Sequence, residues 1–243
     1  MSVEPQIERV EESASTNSQL TACTETLPHG YVLSARAQTA GRGQRGNSWE
    51  AEPGKNLTFS ILLRPERIAP AMSFTLSMKV AIAVARTLSR LMDREVSVKW
   101  PNDIYVGDGK ICGILIENSF CGPLYEKAVV GIGINVNQTV FSSDAPNPVS
   151  MAQICGRTFD LDTVLYDVCK AIIDEVDRDE PVDDLVARYH GMLWRREGLH
   201  RWHDNLTDED LVAAIASVAP DGYLTLATEP PRTYAFKEVT AIL

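Results

Sequence analysis

The chain has 243 residues, 44% of them apolar and 23% charged, and carries a formal net charge of −10. This composition supports a buried core in one large domain, or in a catalytic domain with a small appendage, and the acidic balance argues against a nucleic-acid surface, which needs clustered Lys and Arg. No apolar run approaches the ~20 residues that span a bilayer, and Met1 to Glu12 lacks a basic-then-apolar signal pattern, so a cytoplasmic protein is expected.

Ser13 to Leu27 opens with small hydroxyl and amide residues and reads as a capped helix entered from a polar loop. Tyr31 to Ala37 fits a short strand running into a glycine loop. Leu57, Phe59, Ile61 and Leu63 alternate with Thr58, Ser60 and Leu62, a strand with one strongly apolar face. Ala71 to Asp93 has the length and apolar density of a long buried helix, with Phe74, Met78, Ile82, Ala85 and Leu88 near one face. Val96 to Trp100 reads as a strand ended by Pro101. Ile111 to Glu117 and Ala128 to Val136 are further strands, with a turn at Cys121-Gly122-Pro123. Asp162 to Val176 and Asp183 to Trp194 read as helices. Beyond about Arg196 the elements shorten, and Asp221-Gly222 signals a hairpin between Ala216-Ser217-Val218 and Tyr223 to Leu226. Tyr234-Ala235-Phe236 and Val239 to Leu243 supply more short strands. The expected division is 1–195 and 196–243, the second part a small β-barrel-like unit.

Five cysteines in irregular spacing, with no Cys-x-x-Cys, and four histidines without ligand spacing predict neither a disulfide framework nor a metal site. Two other stretches carry chemistry. Gly41-Arg42-Gly43-Gln44-Arg45-Gly46-Asn47-Ser48-Trp49 combines backbone freedom, two guanidinium forks and an aromatic face. It fits neither the P-loop nor the dinucleotide fingerprint. Taken alone, it also fits a solvated basic turn with a core Trp. Lys99-Trp100-Pro101-Asn102-Asp103 follows a strand, and a hairpin through Gly107-Asp108-Gly109 would bring Asp103 beside Lys110. An ammonium and a carboxylate in a cleft can serve developing phosphate charge and a proton transfer, although a surface Asp/Lys pair has the same pattern. Ser15-Thr16-Asn17 fits a helix N-cap or a polar recognition cluster. Gly131-Ile132-Gly133-Ile134-Asn135 places glycines inside a strand, where a ligand or backbone approaches closely.

In order and spacing these residues, with Gln38 and Gly113, resemble biotin protein ligases over about residues 8 to 140, and the tail is similar to that family's SH3-like domain. The resemblance implies an α+β fold: a class II aminoacyl-tRNA-synthetase-like mixed sheet with helices, plus a small C-terminal SH3-like β-barrel. It implies a ligase that forms biotinyl-5′-adenylate from biotin and Mg2+-ATP. Biotin then passes to a lysine of a biotin carboxyl carrier domain. By similarity Lys110, Arg42 and Asp103 are catalytic. Ser15, Thr16, Asn17, Gln38, Gly41, Arg42, Lys110, Gly113 and Gly133 bind biotin, and Arg42, Arg45, Trp49, Asn102 and Asn135 bind ATP, Trp49 by stacking on adenine. Gln44 and Asn47 stand where the family often has arginine, which predicts weaker retention of the adenylate. The short stretch before Ser13 leaves no room for a DNA-binding domain, so a single-function ligase with no nucleic-acid or membrane partner is expected, with a homodimer as the expected assembly. The alternatives are a lipoate ligase or octanoyl transferase of the same superfamily, or a non-catalytic biotin-binding regulatory protein.

Overall fold

One seven-stranded sheet positions the candidate site. The computed structural model describes residues 3–44, 48–122, 124–142 and 147–242. The strands are β1 (Gln6–Ser13), β2 (Tyr31–Gln38), β3 (Leu57–Leu63), β4 (Ser97–Lys99), β5 (Asp103–Val106), β6 (Gly109–Cys121) and β7 (Leu124–Ile134). Their spatial order is β1-β2-β3-β7-β6-β5-β4. β1 runs parallel to β2, and the other neighbouring pairs are antiparallel. This is the mixed sheet of the expected α+β class.

Strand alternation gives the sheet two unlike faces. Leu57, Phe59, Ile61 and Leu63 of β3 and Ala128, Val130, Ile132 and Ile134 of β7 turn into the main core. In chain order the helices are α1 (Thr16–Thr21), α2 (Phe74–Met92), the short α3 (Met151–Cys155), α4 (Leu161–Asp177) and α5 (Val182–His190). α2 packs against α4 and α5, and α4 meets β3. Each fully buried Leu, Ile or Val in this layer contributes roughly 1.5–3 kcal/mol. On the opposite face, Leu20 of α1 joins Leu33, Leu62 and Val129 in a second small apolar cluster. All seven β3 residues are therefore buried, where the alternation alone predicts one apolar face.

Lys79 is an exception inside the helical layer. Its ammonium donates to the carbonyls of Glu175 at 3.0 Å and Arg178 at 2.6 Å, groups that the C-terminal turn of α4 leaves without helical partners. Burial pulls the Lys79 pKa down, and Glu180 and Glu175 oppose that pull.

Two predicted elements change. The helix expected over Ser13 to Leu27 shortens to α1, because Ser13 ends β1 and its hydroxyl donates to Gln19. The acidic start becomes edge strand β1, whose exposed Glu8, Arg9, Glu11 and Glu12 suit an unpaired sheet edge. Among the described residues no helix is long and apolar enough to cross a membrane.

The C-terminal strands form two three-stranded antiparallel sheets. β8 (His200–Asp204) lies between β9 (Glu209–Ala213) and β13 (Val239–Ala241). β11 (Leu224–Leu226) lies between β10 (Ile215–Val218) and β12 (Arg232–Tyr234). Gly222 at φ +98° makes the predicted hairpin turn, a conformation that disfavours a side chain. Asp204 joins the two sheets, accepting from Tyr234 Oη at 2.8 Å and from the Leu206 amide at 2.9 Å. Trp202, Val218, Leu224 and Tyr234 belong to the same buried cluster as the main core. Trp100 ties these sheets to the end of β4, donating from Nε1 to Gly222 O at 3.0 Å.

Candidate active site

The face of the sheet opposite α2 and α4 opens into a cleft of about 990 Å3. Its chemistry begins at the β5–β6 hairpin. Asp103 pairs with Gly113 and Ile104 with Cys112, but Tyr105 pairs with Lys110, so Ile111 is an extra residue in β6. In a regular register Lys110 would lie opposite Val106 and face the core with Ile104. The one-residue bulge turns it onto the face of Asp103. There Lys110 Nζ stands 2.7 Å from Asp103 Oδ1, both side chains mostly shielded. The hairpin proximity predicted from sequence is present, and the bulge aims it.

Lys99 is paired directly opposite Asp103 and adds a second ammonium to this face. Its Nζ donates to Tyr105 Oη at 3.0 Å and lies over the Tyr105 and Trp194 rings. Burial lowers the Lys99 pKa. Asp103 opposes that, and Lys110 and Arg195 add to it. Burial also pushes the Tyr105 phenol up, so it stays protonated.

The strand glycines make room for side chains. A Cβ on Gly133 would lie 2.2 Å from Trp49 Cε2, and one on Gly113 would lie 3.0 Å from Trp49 Cζ3. The Trp49 ring therefore lies flat against β6 and β7, with Lys110 Nζ 5.9 Å from its centroid. A Cβ on Gly131 would lie 2.3 Å from Asn17 Oδ1. Where the sequence predicts close approach of a ligand or backbone at the β7 glycines, the structure has the side chains of Trp49 and Asn17.

Asn17 is fixed from both ends. Its carbonyl oxygen accepts from Ser60 Oγ at 2.5 Å, and its amide donates to Glu117 Oε2 at 2.9 Å. Thr16 donates from N and Oγ1 to Gln38 Oε1 at 2.8 and 3.2 Å. The Gln38 amide nitrogen lies toward Gly41, 3.3 Å from where its Cβ would stand. Ser15 is the N-cap of α1, its hydroxyl accepting from the Ser18 amide.

The glycine loop is closed at its base by Trp49 N donating to Gly41 O at 3.1 Å. Arg42 lines the cleft and pairs with Glu117 Oε2 at 2.9 Å. Arg45 and Asn47 lie outside the described residues. Asn102 lines the cleft, and its side chain donates to Ile114 O at 2.9 Å, holding the 100–102 turn to β6. Asn135 is buried at the cleft floor, where its amide donates to Val149 O at 3.2 Å. It braces the segment that also accepts from the Lys110 amide at Asn147 O, 2.9 Å away.

The structure thus brings Asp103, Lys110, Trp49, Gly113, Gly133, Asn102 and Asn135 to one cleft, which Ser15, Thr16, Asn17, Gln38 and Arg42 also line, Arg42 being paired with Glu117. Three residues of this face went unassigned from sequence: Lys99, Ser60 and Glu117. Strand parity could have found them. Ser60 is a polar residue on the face of β3 opposite the apolar one, and Glu117 shares the face of Gly113.

Comparison with known proteins follows the same residues. The model of the biotin/lipoate A/B protein ligase family matches residues 8–135. The bifunctional ligase/repressor BirA of Escherichia coli is 39% identical over 122 residues, 50% of this chain and 38% of that protein. The biotin–[acetyl-CoA-carboxylase] ligase of Paracoccus denitrificans is 34% identical over 152 residues, 60% of this chain and 62% of that one. The matched stretch therefore spans less than two-thirds of either relative. The biotin protein ligase of Aquifex aeolicus, solved with biotin and ATP, superposes with a TM-score of 0.81 at 24% identity, covering 98% of both chains, and so shares the fold. The family model covers more than half of the sequence and contains the β5–β6 hairpin, the glycine loop and the glycine-bearing β7: the chain belongs to the biotin/lipoate A/B protein ligase family.

Proposed function

We propose that this protein is an ATP-dependent biotin protein ligase. The observation that carries the reading is the Lys110–Asp103 pair, aimed by the bulge at Ile111 into a cleft walled by Gly113, Gly133 and Trp49. The first step has a carboxylate oxygen of biotin attack the α-phosphorus of ATP. A phosphorus–oxygen bond forms, and the bond to pyrophosphate breaks. Nucleophile and electrophile are both anionic, so a cation between them matters. At 4 Å and an effective dielectric of 20, each unit charge contributes on the order of 4 kcal/mol. Lys110 takes that role, with Lys99 as a second positive charge on the same face. In the second step a lysine amine of a biotin carboxyl carrier domain attacks the acyl carbon, and AMP leaves. Asp103 orients that amine and accepts its proton.

Ser15, Thr16, Asn17 and Gln38 hold the ureido end of biotin, with Gly41, Gly113 and Gly133 beside the ring. Trp49, Asn102, Asn135, Arg42 and Arg45 serve the nucleotide. The magnesium enters as part of the Mg-ATP cosubstrate. The 1–195 part carries the chemistry, and the SH3-like 196–243 part closes one side of the cleft with Phe236 and Lys237. A homodimer and a cytoplasmic location belong to the same proposal. Light scattering that returns a monomer mass would remove the dimer.

The test is acyl-adenylate formation by the purified protein with biotin, lipoate and octanoate in parallel, followed by mass spectrometry of an added carrier domain. Biotinyl-adenylate and a biotinylated carrier lysine are expected. Adenylate from lipoate alone would transfer the assignment to the lipoate branch of the family.

A further inference from the structure

Glu117 joins two residues that line the cleft, Asn17 and Arg42. It lies on β6, opposite Val129 and on the same face as Gly113. One oxygen, Oε2, accepts from Asn17 Nδ2 of α1 and from Arg42 Nη2 of the glycine loop, each at 2.9 Å. Asn17 has little freedom to move. It is buried, its Oδ1 accepts the Ser60 hydroxyl, and its amide lies across Gly131. The carboxylate is therefore held ready by a rigid donor on the sheet side. Arg42 is the opposite case, a half-exposed side chain between Gly41 and Gly43. Glycine loses more backbone freedom on ordering than any other residue, so a loop with two of them needs a fixed contact to hold one position.

We infer that Glu117 is a positioning residue that anchors the glycine loop to strand β6, by holding Arg42 on an oxygen that Asn17 keeps in place. Charge strengthens the Arg42 contact, whereas a neutral amide would serve Asn17 equally well. An exposed or half-exposed ion pair shifts the population of the held conformation by up to about fivefold. The anchor is a property of the free protein. Its consequence, slower escape of the acyl-adenylate, rests on the proposed ligase reading.

The test is amide hydrogen exchange at residues 39–44 of the free, full-length protein, together with the escape rate of biotinyl-adenylate. E117Q keeps an acceptor for Asn17 and removes the charge. It is expected to speed exchange at residues 39–44 by about fivefold, R42A to do the same, and the double variant to add nothing. E117D, which keeps the charge, should restore part of the protection. Adenylate escape should rise with exchange in E117Q. Unchanged exchange in E117Q, or additive effects in the double variant, would overturn the anchor. R42A leaves the Asn17 contact intact, so unchanged exchange there overturns it even if E117Q does not fold. A protein that makes no biotinyl-adenylate but shows the exchange pattern keeps the anchor and loses the ligase reading. Adenylate formation without the pattern does the reverse.

Discussion

Lys110 Nζ lies 2.7 Å from Asp103 Oδ1 because Ile111 is an extra residue in β6, between Lys110, which pairs with Tyr105, and Cys112, which pairs with Ile104. On the proposed reading the two side chains serve different steps, and a conservative change at Asp103 should separate them. D103N keeps shape and removes the proton acceptor. We expect transfer to the carrier lysine to fall by about 10²–10⁴-fold, and adenylate formation to fall much less. Single-turnover measurement of the two half-reactions reads the difference, and equal losses in both would place Asp103 with Lys110 in activation.

The packing of Trp49 on β7 leaves no space for a methyl group. G133A puts a Cβ within 2.2 Å of the indole, which must shift. Overpacking of this kind costs about 1–3 kcal/mol of stability, and a displacement near 1 Å costs about 10²-fold in activity. In a W49A background the same change should cost little, because the clash is gone. A large loss from G133A in that background would mean that the glycine faces something other than Trp49.

Gln44 stands where arginine is common in the family that the sequence resembles. Q44R adds a cation to the cleft wall, of which Gln44 is part. One charge-assisted contact to a phosphate oxygen should slow escape of the adenylate by about tenfold. Rapid filtration with labelled biotin measures the rate, and an unchanged or faster escape would remove Gln44 from retention.

Asp204 gives the two small C-terminal sheets a pH-dependent tie. Burial works to raise its pKa, but the Tyr234 hydroxyl, the Leu206 and Thr207 amides and Arg232 together hold it below the usual range. A carboxyl depressed on folding stabilises the protein above the unfolded carboxyl pKa near ~3.9, and that contribution fades as pH falls through the folded pKa. D204N should therefore lose about 1–3 kcal/mol at pH 7 and less at pH 3. Urea unfolding at both pH values tests this, and an equal loss at both would show that charge is not what Asp204 contributes.

Much of the fold was legible because its signals are local. Alternation in Leu57 to Leu63, the apolar density of Phe74 to Met92 and the Asp221-Gly222 turn each specify an element without distant partners. β1 was not, because Ile7 and Val10 are its only strongly apolar residues and its pairing with β2 is decided by tertiary contact. In the candidate site the nearness of Asp103 and Lys110 followed from a hairpin. The facing of Lys110 did not, since a bulge depends on how Tyr105 and Ile111 settle against their neighbours. Asn17 was read as a recognition or capping group, and its engagement by Ser60 and Glu117 becomes visible only when strands β3 and β6 are set beside α1.

On the proposed reading Lys110, aimed by the bulge at Ile111, neutralises the charge between a biotin carboxylate and the α-phosphate. Biotin-dependent ATP–pyrophosphate exchange by wild type and K110A tests it most directly, with a thermal melt to show that both are folded. Exchange is expected in the wild type, with a loss of at least about 10²–10³-fold in K110A at an unchanged melting midpoint. Exchange in folded K110A at the wild-type rate would contradict it.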